Sequence, residues 1–145
     1  MSYDIVQTAV ATVVKKITGY SASNVFEHDW RPLAQGQAFL VVLKPGPFSQ
    51  QEPVLRGATI VNWVTNLELY VLNTGEQNTT IDTLITEREK LLTIFNQWPH
   101  LGGTSGVLDC LALSGGEVET IEGTQWCRQV LIVRTTEAQS FTRNE

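Results

Sequence analysis

The sequence predicts an α+β fold, with a mainly antiparallel β-sheet carrying two helices grouped on one face of a single domain. Three observations carry this expectation. From Ala58 to Leu72 every second residue (Thr59, Val61, Trp63, Thr65, Leu67, Leu69, Val71) is apolar or a β-former, while Asn62, Asn66 and Glu68 fall between them, which is the period of a strand with one buried face. After the polar turn Asn73-Thr74-Gly75-Glu76, residues Ile81, Leu84, Ile85, Leu91, Leu92, Phe95 and Trp98 recur at spacings of three, four and seven, the stripe of an amphipathic helix. The element order, helix, strands, helix, strands, places helices on a face of the sheet instead of between parallel strands.

Taken in order, Ser2 caps a first helix with Asp4 in its first turn, where negative charge suits the dipole, and Ile5, Ala9, Val13 and Ile17 mark its apolar face up to Gly19. Its many β-branched residues give poor intrinsic propensity, so packing must hold it. Lys15 and Lys16 fall in its last turn. Asn24 to Glu27 forms a short strand, and Ala38 to Leu43 a firmer one whose unbroken apolar run implies two covered faces. Pro45 to Gly57, with three prolines but also Phe48, Val54 and Leu55, reads as a projecting loop. The strand from Ala58 spans roughly 50 Å if extended, whereas a helix from Ile81 to Trp98 reaches only about 27 Å. Either the first helix covers the remainder, or the strand continues as a hairpin arm buried by another subunit; the second is the expectation.

Pro99 stops the second helix, and His100 to Gly106 connects it to strands at Val107 to Leu113 and Gln125 to Thr135. Val118 to Ile121 is a short strand or the tip of a long hairpin. From Glu137 a polar tail follows, with Phe141 as its apolar residue.

Composition narrows the function. At 145 residues, 42% hydrophobic and with four tryptophans, the chain can bury a core without metals or disulfides. Ten basic against fifteen acidic residues leave a net charge of -5, which opposes tight gripping of phosphates. The longest apolar run is far short of the ~20 residues of a membrane span, and residues 1–4 lack a basic leader, so a soluble, unexported protein is expected. Cys110 and Cys127 are spaced too widely for a paired-thiolate metal motif.

Catalytic readings find little purchase. A Cys-His nucleophile would draw on Cys110, Cys127, His28 and His100, but both cysteines sit in alternating strands as small core residues. Gly102 to Gly106 mimics a phosphate loop yet follows a helix and has no lysine. Glu87 and Glu89 beside Arg88 read as a solvated helix face. Glu117, Glu119 and Glu122 lack the ligand pattern of a calcium loop, and Asn78-Thr79-Thr80 reads as a polar helix cap. No enzyme, cofactor or metal site is expected.

A helix ending in Gly19-Tyr20, then Asn24-Val25-Phe26, Asp29-Trp30-Arg31-Pro32, a strand, a Pro-rich loop, the strand with Leu67-Glu68-Leu69-Tyr70-Val71, a helix closing on Trp98-Pro99 and terminal strands together resemble the tail terminator proteins of long-tailed bacteriophages. The resemblance spans nearly the whole chain. It implies a virion protein that forms a ring, usually of six copies, on the head-proximal end of the tail tube, ends tube growth and offers a surface to a head-completion or connector protein. DNA would pass through the ring without specific binding, and no membrane is involved. Head-tail connector proteins share the size and composition; a small cytosolic enzyme or ligand-binding domain with a pocket near His28 or His100 is the alternative from another class. On physical grounds Phe48, Val54 and Leu55 are the expected contacts to a neighbouring copy or tube subunit. Glu117, Glu119 and Glu122 are expected to form an acidic rim or lumen surface.

Overall fold

The computed structural model describes residues 3–27, 38–46, 50–55, 58–73, 75, 77–103, 107–114, 116–121 and 126–140. The elements run α1 (Tyr3–Val14), β1 (Val25–Glu27), β2 (Phe39–Pro45), β3 (Gln50–Leu55), β4 (Ala58–Leu72), α2 (Gln77–Gln97), β5 (Val107–Ser114), β6 (Glu119–Thr120) and β7 (Trp126–Ser140). Among the described residues seven strands form one sheet with the path β1-β2-β4-β7-β5, β3 also pairing with β4 and β6 with β7. β1 is parallel to β2 and every other pairing is antiparallel, so the α+β expectation holds.

The sheet is two long, interrupted hairpins laid side by side. β4 and β7 pair along their whole length, from Ala58 opposite Ser140 to Leu72 opposite Trp126. On the outer side of β4, β2 pairs from Val71 to Thr65, the amide of Gly46 donates to the Val64 carbonyl at 2.8 Å, and β3 resumes the ladder at Asn62. β5 and β6 follow β7 in the same broken way. Gly46 sits where the first ladder breaks, and it must be glycine: a Cβ there would lie 2.3 Å from Val64 Cγ1 and 2.7 Å from the Val64 carbonyl oxygen.

The start of α1 reaches the long strand beyond α2, with Tyr3 Oη 3.4 Å from Thr65 Oγ1 and its ring 6.2 Å from that of Trp63. The segment read as a projecting loop is largely strand β3. Pro53 did not prevent this, because β3 is an edge strand, where a missing amide proton goes unneeded on the open side. Val54 and Leu55 belong to β3, and Phe48 lies outside the described residues. The polar tail expected from Glu137 is also corrected. β7 runs on to Ser140, and Glu137 is buried because its carboxylate accepts a hydrogen bond from Trp63 Nε1 at 3.1 Å.

The inner face packs Val41, Leu43, Leu67, Leu69, Val71, Leu131 and Val133 against both helices. Leu40, Val42, Tyr70 and Trp126 form a smaller cluster on the opposite face, so β2 is covered on both sides as its unbroken apolar run requires. α1 buries Val6, Val10, Val13 and Val14; of the predicted face Val13 is buried and Ala9 and Ile17 pack against the core, while Ile5, 52% exposed, turns outward. It ends at Val14, which leaves Lys15 and Lys16 in the turn that follows.

α2 begins at Gln77, four residues before the expected start, and buries Thr80, Leu84, Glu87, Leu91, Ile94 and Phe95. Ile81, Ile85 and Trp98 from the predicted stripe are exposed. Trp98 lies under the Lys16 ammonium, 4.2 Å from its ring centre, on the surface and not in a core shared with Trp63. Glu87 is the main reversal. Predicted to face solvent, it is 5% exposed, accepting from Tyr20 Oη at 2.8 Å and pairing with Lys90 at 3.1 Å. No helix among the described residues is long and apolar enough to cross a membrane.

Candidate functional site

The rotation of α2 that buries Glu87 turns Ile81, Ile85 and Arg88 to the opposite flank, at spacings of four and three that align them on one face. Asn73 sets where this helix begins: its side-chain oxygen accepts from the Gly75 amide at 3.0 Å and from Thr80 Oγ1 at 3.4 Å, with Gly75 at φ 90°. Across from this face stand Val118 and Thr120, with Cys127 between. Together these residues line a groove of about 590 Å³ between α2 and β6. Ile81, Ile85 and Val118 are each exposed by two-fifths or more, which makes the groove a place where apolar surface meets water.

The groove's far wall is held by polar ties. Gln129 donates to the Gly116 carbonyl at 2.9 Å, fixing the chain just before Val118, and receives a long 3.5 Å contact from Arg88. Arg88 also approaches Glu89 at 3.6 Å. On the other sheet face Arg128 meets Glu119 of β6 at 2.6 Å and Glu68 at 3.6 Å, while Glu68 takes Lys44 at 3.0 Å and Tyr70 Oη at 3.1 Å. The hydrogen bond that Arg128 donates to the Glu119 carboxylate raises its guanidinium above its ordinary value. β6 has only two residues, and these ties add to its short ladder on β7, which continues in the bond from the Ile121 amide to the Trp126 carbonyl at 3.0 Å.

The residues singled out in the sequence scatter. Glu117 and Glu119 are both exposed, with Glu119 engaged by Arg128; Glu122 lies outside the described residues, as does His28. His100 Nδ1 contacts the Val107 carbonyl at 3.1 Å. Cys110 is buried against Thr135 Oγ1 at 3.5 Å, and burial pushes its thiol up to about 11, away from thiolate chemistry. Cys127 is also buried and free. Among the described residues no group of three His, Cys, Asp or Glu side chains could hold a metal ion.

What the arrangement offers is surface. The groove on α2 and β6 and the exposed Leu108, Leu111 and Leu113 of β5 place most of the exposed large apolar side chains on one flank of the sheet. The opposite flank carries a shallow concavity on α1 lined by Asp4, Ile5, Thr8, Ala9 and Thr12, beside β1, where Thr8 Oγ1 donates to Glu27 at 2.8 Å. Sequence reasoning missed the groove because Ile81 and Ile85 were assigned to the core; their alignment with Arg88 was the available signal. No protein-family model matches the chain, and no curated protein matches it.

Proposed function

We propose that this chain is a structural subunit of a long-tailed phage tail, a terminator that closes into a ring on the head-proximal end of the tail tube, stops its growth and presents a platform for the head connector. The observation that carries the reading is the blade formed by β4 and β7. Fifteen paired residues extend roughly 50 Å, while the 21 residues of α2 reach only about 32 Å. At the blade's far end Ile60, Asn62 and Val64, which share the face away from the helices, remain partly exposed, a surface suited to lying against another subunit. The order of elements and the landmarks Tyr20, Trp63 and Trp98-Pro99 also support the family resemblance.

On this reading the work is geometric capping, with no bond made or broken. Val54 and Leu55, at the end of β3, and Phe48, before it in sequence, are the residues assigned to the contact with a tube subunit or a neighbouring copy. The exposed Glu117 and Glu119, with Glu122 following them in sequence, supply the acidic charge of the lumen or rim, which keeps DNA from sticking. The test is polymerisation of tail tube protein from the same phage with and without the chain. Tubes should stop growing and carry one ring at one end in negative-stain micrographs. Tubes of unlimited length without a terminal ring would contradict it.

A further inference from the structure

We propose that the groove between α2 and β6 is the socket for α1 of a neighbouring copy, with Ile5 as the inserted side chain. The proposal rests on the ring reading and names the surfaces of its self-contact. Ile5 is the most exposed large apolar side chain described, and it faces away from its own core on the β1 flank. The groove lies on the β6 and β7 side, near the other end of the sheet path. A head-to-tail contact needs two different, complementary patches on opposite flanks, and such contacts close into a ring when the rotation between copies allows.

The chemistry of the two patches matches as well as their positions. The socket offers Ile81, Ile85 and Val118 with Arg88 one turn further along the same helix face. The α1 patch offers Ile5 with Asp4 beside it and Thr8 and Thr12 on the next turns. An isoleucine entering the apolar groove brings an acidic group toward its guanidinium, which fixes register and disfavours the reversed pairing. With the two patches on opposite flanks, a two-fold contact would pair one patch with itself and could not seat Ile5 in the groove.

The experiment uses the full chain. Ile5→Asp and Ile85→Asp, both at exposed positions, should each raise the concentration for half-maximal ring formation at least tenfold by analytical ultracentrifugation, with unchanged circular dichroism. Asp4→Arg and Arg88→Asp should each weaken assembly, and the two together should restore at least half of the loss. As a second readout, Ile5→Cys with Ile85→Cys in a Cys110→Ala, Cys127→Ala background should yield a disulfide ladder ending at the closed ring, while Ile5→Cys alone should give no dimer. Rings that assemble normally in all these variants, or an Ile5→Cys homodimer, would overturn the socket and leave the ring reading standing. A wild-type chain that forms no ring would overturn both.

Discussion

Removing the phenol of Tyr20 tests whether the buried carboxylate of Glu87 is a structural tie between the segment after α1 and α2. Tyr20 Oη donates to Glu87 at 2.8 Å with both groups buried, and burial followed by the Glu87 bond holds the phenol far above its usual range. A hydrogen bond to a charged acceptor contributes roughly 1.5 to 3 kcal/mol, and removing one partner also strands the other. Glu87 would keep Lys90 at 3.1 Å, so Tyr20→Phe should cost about 2 kcal/mol. For a chain of this length that corresponds to a fall in Tm of roughly 6 °C. The assay is thermal and urea unfolding of the wild type, Tyr20→Phe, Glu87→Leu and the double variant. Apolar replacement of both partners leaves neither stranded, so the double variant should be more stable than the sum of the single losses by at least about 1 kcal/mol. A silent Tyr20→Phe, or strict additivity, would refute the tie.

The remaining predictions concern the core and the sheet. Cys110 is protonated up to about 11 when folded, against 9.0 for an ordinary thiol; its contribution is complete below pH 9 and is lost as pH rises toward 11, because the unfolded chain releases the proton first. Unfolding free energy should therefore fall by about 1 kcal/mol between pH 9 and 10, and Cys110→Ala should abolish that part of the slope. Gly46→Ala should destabilise by about 1 to 3 kcal/mol through overpacking against Val64, and Val64→Ala should recover only part, since the carbonyl contact at 2.7 Å remains. Trp98→Ala should cost no more than about 1 kcal/mol, the range of an exposed cation-π contact, whereas Trp126→Ala, in the outer-face cluster, should cost about 3 to 5 kcal/mol; chemical unfolding followed by circular dichroism separates them.

The strand from Ala58 to Leu72 was legible to the residue because Asn62, Asn66 and Glu68 alternate with its apolar face at the right period and a polar turn ends it. β2 was equally plain, its apolar run demanding cover on both faces. Helix faces were harder. Val6, Val10 and Val14 repeat every four residues just as Ile5, Ala9 and Val13 do, and packing against the sheet takes up both stripes except Ile5. Glu87 stands at helical spacing from Leu84 and Leu91, so position marked it as inward while its charge marked it as outward; the distant Tyr20 decides the matter. β3 and the end of β7 escaped for a related reason. Gln50, Gln51, Pro53, Glu137 and Gln139 have weak strand propensity; β3 is a hairpin partner of β4 without an alternating pattern of its own, and the end of β7 pairs with β4 from far along the chain, beyond the reach of a local pattern. The groove was illegible because it joins α2 to β6, whose place depends on the Arg128 and Gln129 side chains.

The measurement that bears most directly on the proposed function is the mass of the purified chain in solution, taken together with electron micrographs of the same sample. If the chain caps tubes as a ring, it should sediment near six times its 16.1 kDa mass at assembling concentrations and show closed particles with a central opening. A single-chain mass at every concentration, unchanged when tail tubes are added, would contradict it.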